Sequence, residues 1–126
     1  MNIVTDIRVT EFMEKYLGKV FVPPYTVMGV ERNGEVIGGV LFNVFEGEDV
    51  HFSAAGTGFT RGFYADVGDY VFRQLKCQRM TAITEHAKVV RLAERLGGKI
   101  EGCLRNHFGK GRDGFLIGIL RDEYRF

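Results

Sequence analysis

The sequence predicts a mixed α/β domain: a mostly antiparallel twisted sheet of six to seven strands, with helices on both faces. Three observations lead there. Short apolar runs alternate with amphipathic stripes along the chain, so strands and helices interleave. Asn33-Gly34 stands between two such runs and marks an antiparallel hairpin, because both turn residues must tolerate positive φ. Asp49–Thr84 reads strand, helix, strand, a unit whose strands lie parallel with a right-handed crossover. At 126 residues the chain holds one domain, 1–126.

The elements follow in order. Met1–Thr5 is a short first strand. Val9, Phe12, Met13, Tyr16 and Leu17 form one helical stripe, with Thr5 or Asp6 as its cap and Gly18 at its end. Pro23-Pro24 closes the linker. Tyr25–Arg32 and Glu35–Asn43 are the hairpin strands, the second apolar on both faces and therefore central. Asp49–Ala55 alternates, with Val50, Phe52 and Ala54 on one face and Asp49, His51 and Ser53 on the other. After Gly56-Thr57-Gly58 a helix carries Phe59, Phe63, Val67, Val71 and Leu75 as its stripe. Arg79–Thr84 is a strand. His86–Leu96 is a helix with Val89, Leu92, Ala93 and Leu96 inward, stopped by Gly97-Gly98. Lys99–Arg105 and Gly114–Leu120 are two further strands, joined by the polar stretch Asn106–Asp113.

Charge and composition exclude several classes. Lys plus Arg number 17 and Asp plus Glu 16, a formal charge of +1, whereas a general binder of polyanions would be more basic. Nucleic acid is therefore not an expected partner. Arg105, His107, Lys110 and Arg112 form the one basic cluster, around Phe108, and read as a solvated loop. Met1–Leu17 carries Asp6, Glu11 and Glu14 and lacks the apolar core of a signal peptide. No run approaches the ~18 apolar residues of a membrane span. A cytoplasmic location is expected, with Cys77 and Cys103 reduced and serving as small core residues. His51, His86, His107, Cys77 and Cys103 show no paired ligand spacing, so no metal is expected.

Gly56-Thr57-Gly58 leads from a strand into a helix. A helix start offers unpaired N–H groups and a positive dipole end to a phosphate, and Arg61 adds a cation. The same glycines also suit a tight connection and nothing more.

Glu85–Gly98, E-H-A-K-V-V-R-L-A-E-R-L-G-G, with Lys99-Ile100-Glu101-Gly102 and Leu104-Arg105 after it, resembles the fourth helix and following strand of the GCN5-related N-acetyltransferase superfamily. The hairpin Val30–Gly39 resembles that superfamily's "v...dg.ivG" strand pair. The resemblance covers essentially the whole chain, in the compact form of small phage- and prophage-encoded members. Four features depart from the pattern. Gly98 replaces a common aromatic residue. In the phosphate loop, Q/R-x-x-G-x-G/A, Arg61 stands for the first position, but Tyr64 replaces the glycine and Asp66 the last small residue. No tyrosine lies in His86–Leu96 to protonate the leaving thiolate. One helix and Lys19–Pro24 must roof the acceptor site where the superfamily commonly uses two helices.

The resemblance implies transfer of an acetyl group from acetyl-CoA, a cosubstrate, to an amine on a small molecule or peptide. The coenzyme's arm would enter between Asp49–Ala55 and Arg79–Thr84, its phosphates at Gly56–Gly62. Its contacts would be Ser53, Ala54, Ala55, Gly56, Gly58, Thr60, Arg61 and Gly62. The base would come from His51, Glu48 or Asp49, with Asn43 orienting a water or the substrate. His51 also reads as a solvated edge histidine, and Asn43 as a strand-end cap. Two other readings stay open: a non-catalytic binding or virion-associated protein on the same fold, and a phage-type modifier of nucleic acid. Either the acceptor site is open, or a second subunit closes it in a homodimer.

Overall fold

The computed structural model describes residues 2–126; the Met1 end of the expected first strand lies outside them. In chain order the elements are β1 (Asn2–Val4), α1 (Ile7–Leu17), β2 (Thr26–Arg32), β3 (Glu35–Asn43), β4 (Asp49–Gly56), α2 (Arg61–Gly68), β5 (Arg79–Thr84), α3 (Ala87–Arg95), β6 (Lys99–Leu104) and β7 (Gly114–Leu120). The strands form one seven-stranded sheet in the order β1-β2-β3-β4-β5-β7-β6. Only β4 and β5 run parallel, as expected of strands joined through a helix.

Two apolar layers cover the sheet. On one face Val9, Met13 and Phe21 pack on Leu41 and Ala55. Glycine lets α1 come this close: a Cβ at Gly29 would stand 2.6 Å from Val9 Cγ2, and one at Gly39 3.0 Å from Met13 Sδ. The Asp6 side chain accepts from the Arg8 amide at the start of α1, and Gly18 ends the helix at φ 65. On the other face Val50, Phe52, Ala54, Met80, Ala82, Ile117 and Ile119 meet Phe63 and Val67 of α2, Val71 just after it, Ala93 of α3 and Leu96 at its end. Asn33 and Gly34 take φ 53 and 80, as a type I′ hairpin requires.

Three expectations change. The stripe after Gly58 is not one α-helix. Thr60 caps α2 and Phe59 lies outside it, while Asp69–Gln74 continues as π-helical turns, with Leu75 N–H bonded to the Tyr70 carbonyl. The cause is spacing: apolar residues every fourth position outrun a 3.6-residue turn, and a wider turn brings Val71 back to the core. In α3, Ala93 and Leu96 are buried, but Val89 is half-exposed and lines a groove. Cys77 is buried, whereas Cys103 is exposed on β6, the sheet's edge strand, and is not a core residue.

Candidate functional site

The sheet parts between its two parallel strands. Asp49, Val50 and His51 pair with Arg79, Met80 and Thr81, and there the pairing stops. From Phe52 to Gly56, β4 stays with β3, ending at Gly56 opposite Gly38; from Ala82 to Thr84, β5 stays with β7. The β5-facing edge of β4 therefore has backbone N–H and C=O groups without a strand partner.

The gap opens into a two-chambered groove. A chamber of about 280 Å³ is lined by Leu17, Ser53, Ala54, Ala82, Ile83, His86 and Val89, among others. A larger one of about 700 Å³ continues along Ala55–Phe59 and α3. Leu17, Ala54, Glu85, His86, Val89 and Arg112 line both, so the chambers are continuous.

The Gly56–Gly58 turn is held from behind. Gly56 and Gly58 take φ +85 and +88, a region that favours glycine. Thr57 N–H donates to the Ile37 carbonyl at 2.9 Å, and the Thr57 carbonyl lies against Gly38 so closely that a Cβ there would collide with it. Gly56 and Gly38 are explained by backbone meeting backbone, Gly58 by its positive φ and the Ile37 side chain, and the turn forms a wall of the groove.

The expected contact residues divide. Ser53 lines the small chamber, Ala54 both, and Ala55, Gly56 and Gly58 the large one. Thr60, Arg61 and Gly62 do not line it. The Thr60 hydroxyl accepts from the Phe63 amide, and the Arg61 guanidinium lies over the Phe126 ring, 5.4 Å from its centre. Tyr64 is buried between Phe59, Phe63 and Phe126, where burial pushes its phenol up. The cations of the large chamber are instead Lys88, Arg91, Arg95 and Arg112, and Lys19 lines the small one. Lys88 Nζ donates to the Gly56 carbonyl at 3.3 Å. Arg112 donates to both Glu85 oxygens, at 3.0 and 2.7 Å, and this holds the Glu85 carboxyl below its usual range. The basic loop thus sends Arg112 to the groove. Helical spacing on α3 carried a readable signal, since Lys88, Arg91 and Arg95 fall at i, i+3 and i+7. His86, too, was missed by the sequence reading.

On the α1 face of the sheet, Asp49 and His51 come together, Nε2 to Oδ2 at 3.6 Å. Thr81 donates to Asp49 at 2.9 Å and accepts from Arg79 Nε at 3.1 Å, and Arg79 bonds Glu101 at 2.6 Å. Asn43 lies opposite His51 in the β3–β4 ladder. Glu48 is exposed; its carbonyl accepts from the Gln78 and Arg79 amides, and no bond joins its carboxylate to the Asp49 network among the described residues. Nor do the described residues contain a cluster of three potential metal ligands.

No family model matches the chain, and no curated protein sequence does either. Solved structures do. Mutant forms of the spermidine/spermine N-acetyltransferase SpeG of Vibrio cholerae superpose with a TM-score of 0.73 at 19% identity, over 98% of this chain and 96% of that one. The fold is that of the GCN5-related N-acetyltransferases. A dodecameric structure of the same enzyme in an intermediate state matches with a TM-score of 0.73 at 18% identity, over 96% of this chain and 94% of that one. A further SpeG mutant matches with a TM-score of 0.67 at 24% identity, over 90% and 74%. These bacterial enzymes add nothing to the likeness to phage-encoded members.

Proposed function

We propose that the chain is an acyl-coenzyme A dependent N-acetyltransferase with an amine acceptor. The observation that carries this is the parting of β4 and β5 beyond His51 and Thr81, which leaves an unpaired strand edge inside a continuous groove. The amide groups of a pantetheine arm complete such an edge as a third strand would. Ser53 and Ala54 then flank the thioester, and main-chain N–H groups there face the oxygen as it gains charge. The acceptor comes from the α1 face, where Asp49 and His51 meet. Its nitrogen bonds to the acetyl carbon, the carbon–sulfur bond breaks, and the ammonium proton passes to the Asp49–His51 pair. Arg79 and Thr81 fix the Asp49 carboxylate for this, and Asn43 beside His51 orients the amine or a water. The thiolate takes a proton from water or from His86, which lines both chambers.

The structural neighbours are named for spermidine, which places polyamines first among acceptors to try. One neighbour is dodecameric, and a second subunit roofing the single-helix acceptor side, as a homodimer would provide, fits the short stretch between α1 and β2. A cytoplasmic location goes with this reading; no helix among the described residues is long and apolar enough to cross a membrane. The test is acetyl-CoA with a panel of polyamines, monoamines and peptides, read by mass spectrometry. Transfer of one acetyl group to an amine supports the proposal, and its loss in Asp49→Asn and His51→Ala supports the assignment of the base. A second reading, a binding protein without turnover, draws on an α3 that carries no tyrosine and on Tyr64 in the loop's glycine position. Coenzyme binding with no amine acetylated would establish it.

A further inference from the structure

We infer that the anionic part of the coenzyme is gripped by a row of cations on α3, Lys88, Arg91 and Arg95, and not by Arg61 and the start of α2. This rests on the acyl-coenzyme reading above and concerns how that same groove holds its ligand. Lys88, Arg91 and Arg95 all line the large chamber and are exposed. No salt bridge reaches any of the three among the described residues, while Arg8, Arg73, Arg79, Lys99 and Arg112 are each paired with a carboxylate. The single carboxylate lining the groove, Glu85, is committed to Arg112. A chain of formal charge +1 therefore concentrates unbalanced positive charge in one concavity. Low-dielectric walls focus such a field on an anion.

The row has length as well as charge. Seven residues of helix separate Lys88 from Arg95, about 10 Å at 1.5 Å per residue. That suits a ligand with phosphates at separated points, rather than a single small anion. Lys88 reaches across the groove to the Gly56 carbonyl, and Arg95 stands 5.9 Å from the centre of the Tyr64 ring. The row thus extends from the end of β4 to the aromatic cluster on α2.

The competing anchor is spent on the fold. Arg61 lies on Phe126, away from the chamber lining, and the Phe63 and Tyr64 amides, donors a phosphate would need, are spent on the Thr60 hydroxyl and carbonyl. Tyr64, where a glycine would leave backbone open to a phosphate, is itself packed among aromatic rings. The phosphate-loop departure and the α3 row are two sides of one change, the grip having moved from main-chain amides to side-chain cations.

The experiment is calorimetric titration of the full chain with coenzyme A, 3′-dephospho-coenzyme A and pantetheine. Wild-type protein is compared with Arg61→Ala, with Lys88→Ala, Arg91→Ala and Arg95→Ala singly, and with the triple variant. Each single α3 variant should weaken coenzyme A about five- to tenfold and the triple variant about a hundredfold or more, as charge-assisted contacts are lost. Arg61→Ala should change it less than about twofold. Pantetheine, which has no phosphate, should bind wild type and triple variant alike, showing that the variant groove is intact. Wild-type affinity for coenzyme A should fall steeply with salt, and the triple variant's should not. Coenzyme A bound by the triple variant within about threefold of wild type, or lost on Arg61→Ala instead, overturns the α3 grip while leaving the acyl-coenzyme reading intact. A wild-type protein that binds no coenzyme A overturns both.

Discussion

Replacing Gly38 by Ala tests how the groove wall is held. Gly38 lies on β3 opposite Gly56 and does not line the groove. A Cβ there would collide with the Thr57 carbonyl oxygen, and would stand 3.1 Å from both the Thr57 carbonyl carbon and Phe59 Cε1. Backbone must therefore move, and overpacking of that kind costs about 1–3 kcal/mol. The Thr57 N–H bond to the Ile37 carbonyl, 2.9 Å long, is strained by the same shift, worth about 0.5–1.5 kcal/mol more. The expected loss is about 2–4 kcal/mol in a domain whose total stability is of order 5–15 kcal/mol. In a chain of this size that lowers Tm by about 6–20 °C. Gly102→Ala is the control: nothing lies within 4 Å of its Cβ position and its φ is not positive, so stability should hold or rise slightly. Calorimetric melting of both variants, with and without acetyl-CoA, reads the fold and the groove together. Gly38→Ala melting within about 2 °C of wild type would refute the claim that backbone contact fixes the Gly56–Gly58 turn.

Thr81→Val removes the hydroxyl that joins Arg79 to Asp49 and should cost about 1–2 kcal/mol in urea titration. If Asp49 and His51 are the base, it should also lower kcat with little change in KM for the coenzyme. In native protein, iodoacetamide should label Cys103 and spare Cys77, which is buried and whose thiol burial pushes up; peptide mass spectrometry distinguishes them. The Asp6 carboxyl sits below its usual range through its bond to Arg8, so its contribution is present above the ordinary Asp pKa and lost as pH falls through the lowered one. The Tm advantage of wild type over Asp6→Asn should accordingly shrink below about pH 4. Acetylation should speed up as pH rises, since the amine must lose a proton before it attacks, and His51→Ala should alter that profile.

Much of the fold was legible because its signals are local. The bounds of β3 and β5, the Asn33-Gly34 turn and the Asp6 and Gly18 caps each follow from a few adjacent residues. The π-helical turn after α2 escaped, although the four-residue spacing from Phe59 to Leu75 announces it, because the stripe was read as ordinary helix. Of the candidate site, β4 alternation correctly put Asp49, His51 and Ser53 on one face. What alternation does not reveal is partnership across the sheet: Thr81 and Arg79 bind Asp49 from a strand thirty residues on, while Glu48 stays apart. The place of the Arg61 side chain was not legible for a similar reason. A motif places a residue along the chain, but Phe126, distant in sequence, decides where the Arg61 guanidinium rests.

The central claim is that the open edge of β4, facing the gap left by β5, receives the coenzyme's arm. Hydrogen–deuterium exchange of the whole chain, with and without saturating acetyl-CoA, measures it directly. The account predicts slowed exchange in peptides covering Phe52–Phe59 and the start of α3, with β1, β2 and β6 unchanged. Unchanged exchange along Phe52–Phe59 at millimolar acetyl-CoA, or protection confined to another part of the molecule, would contradict it.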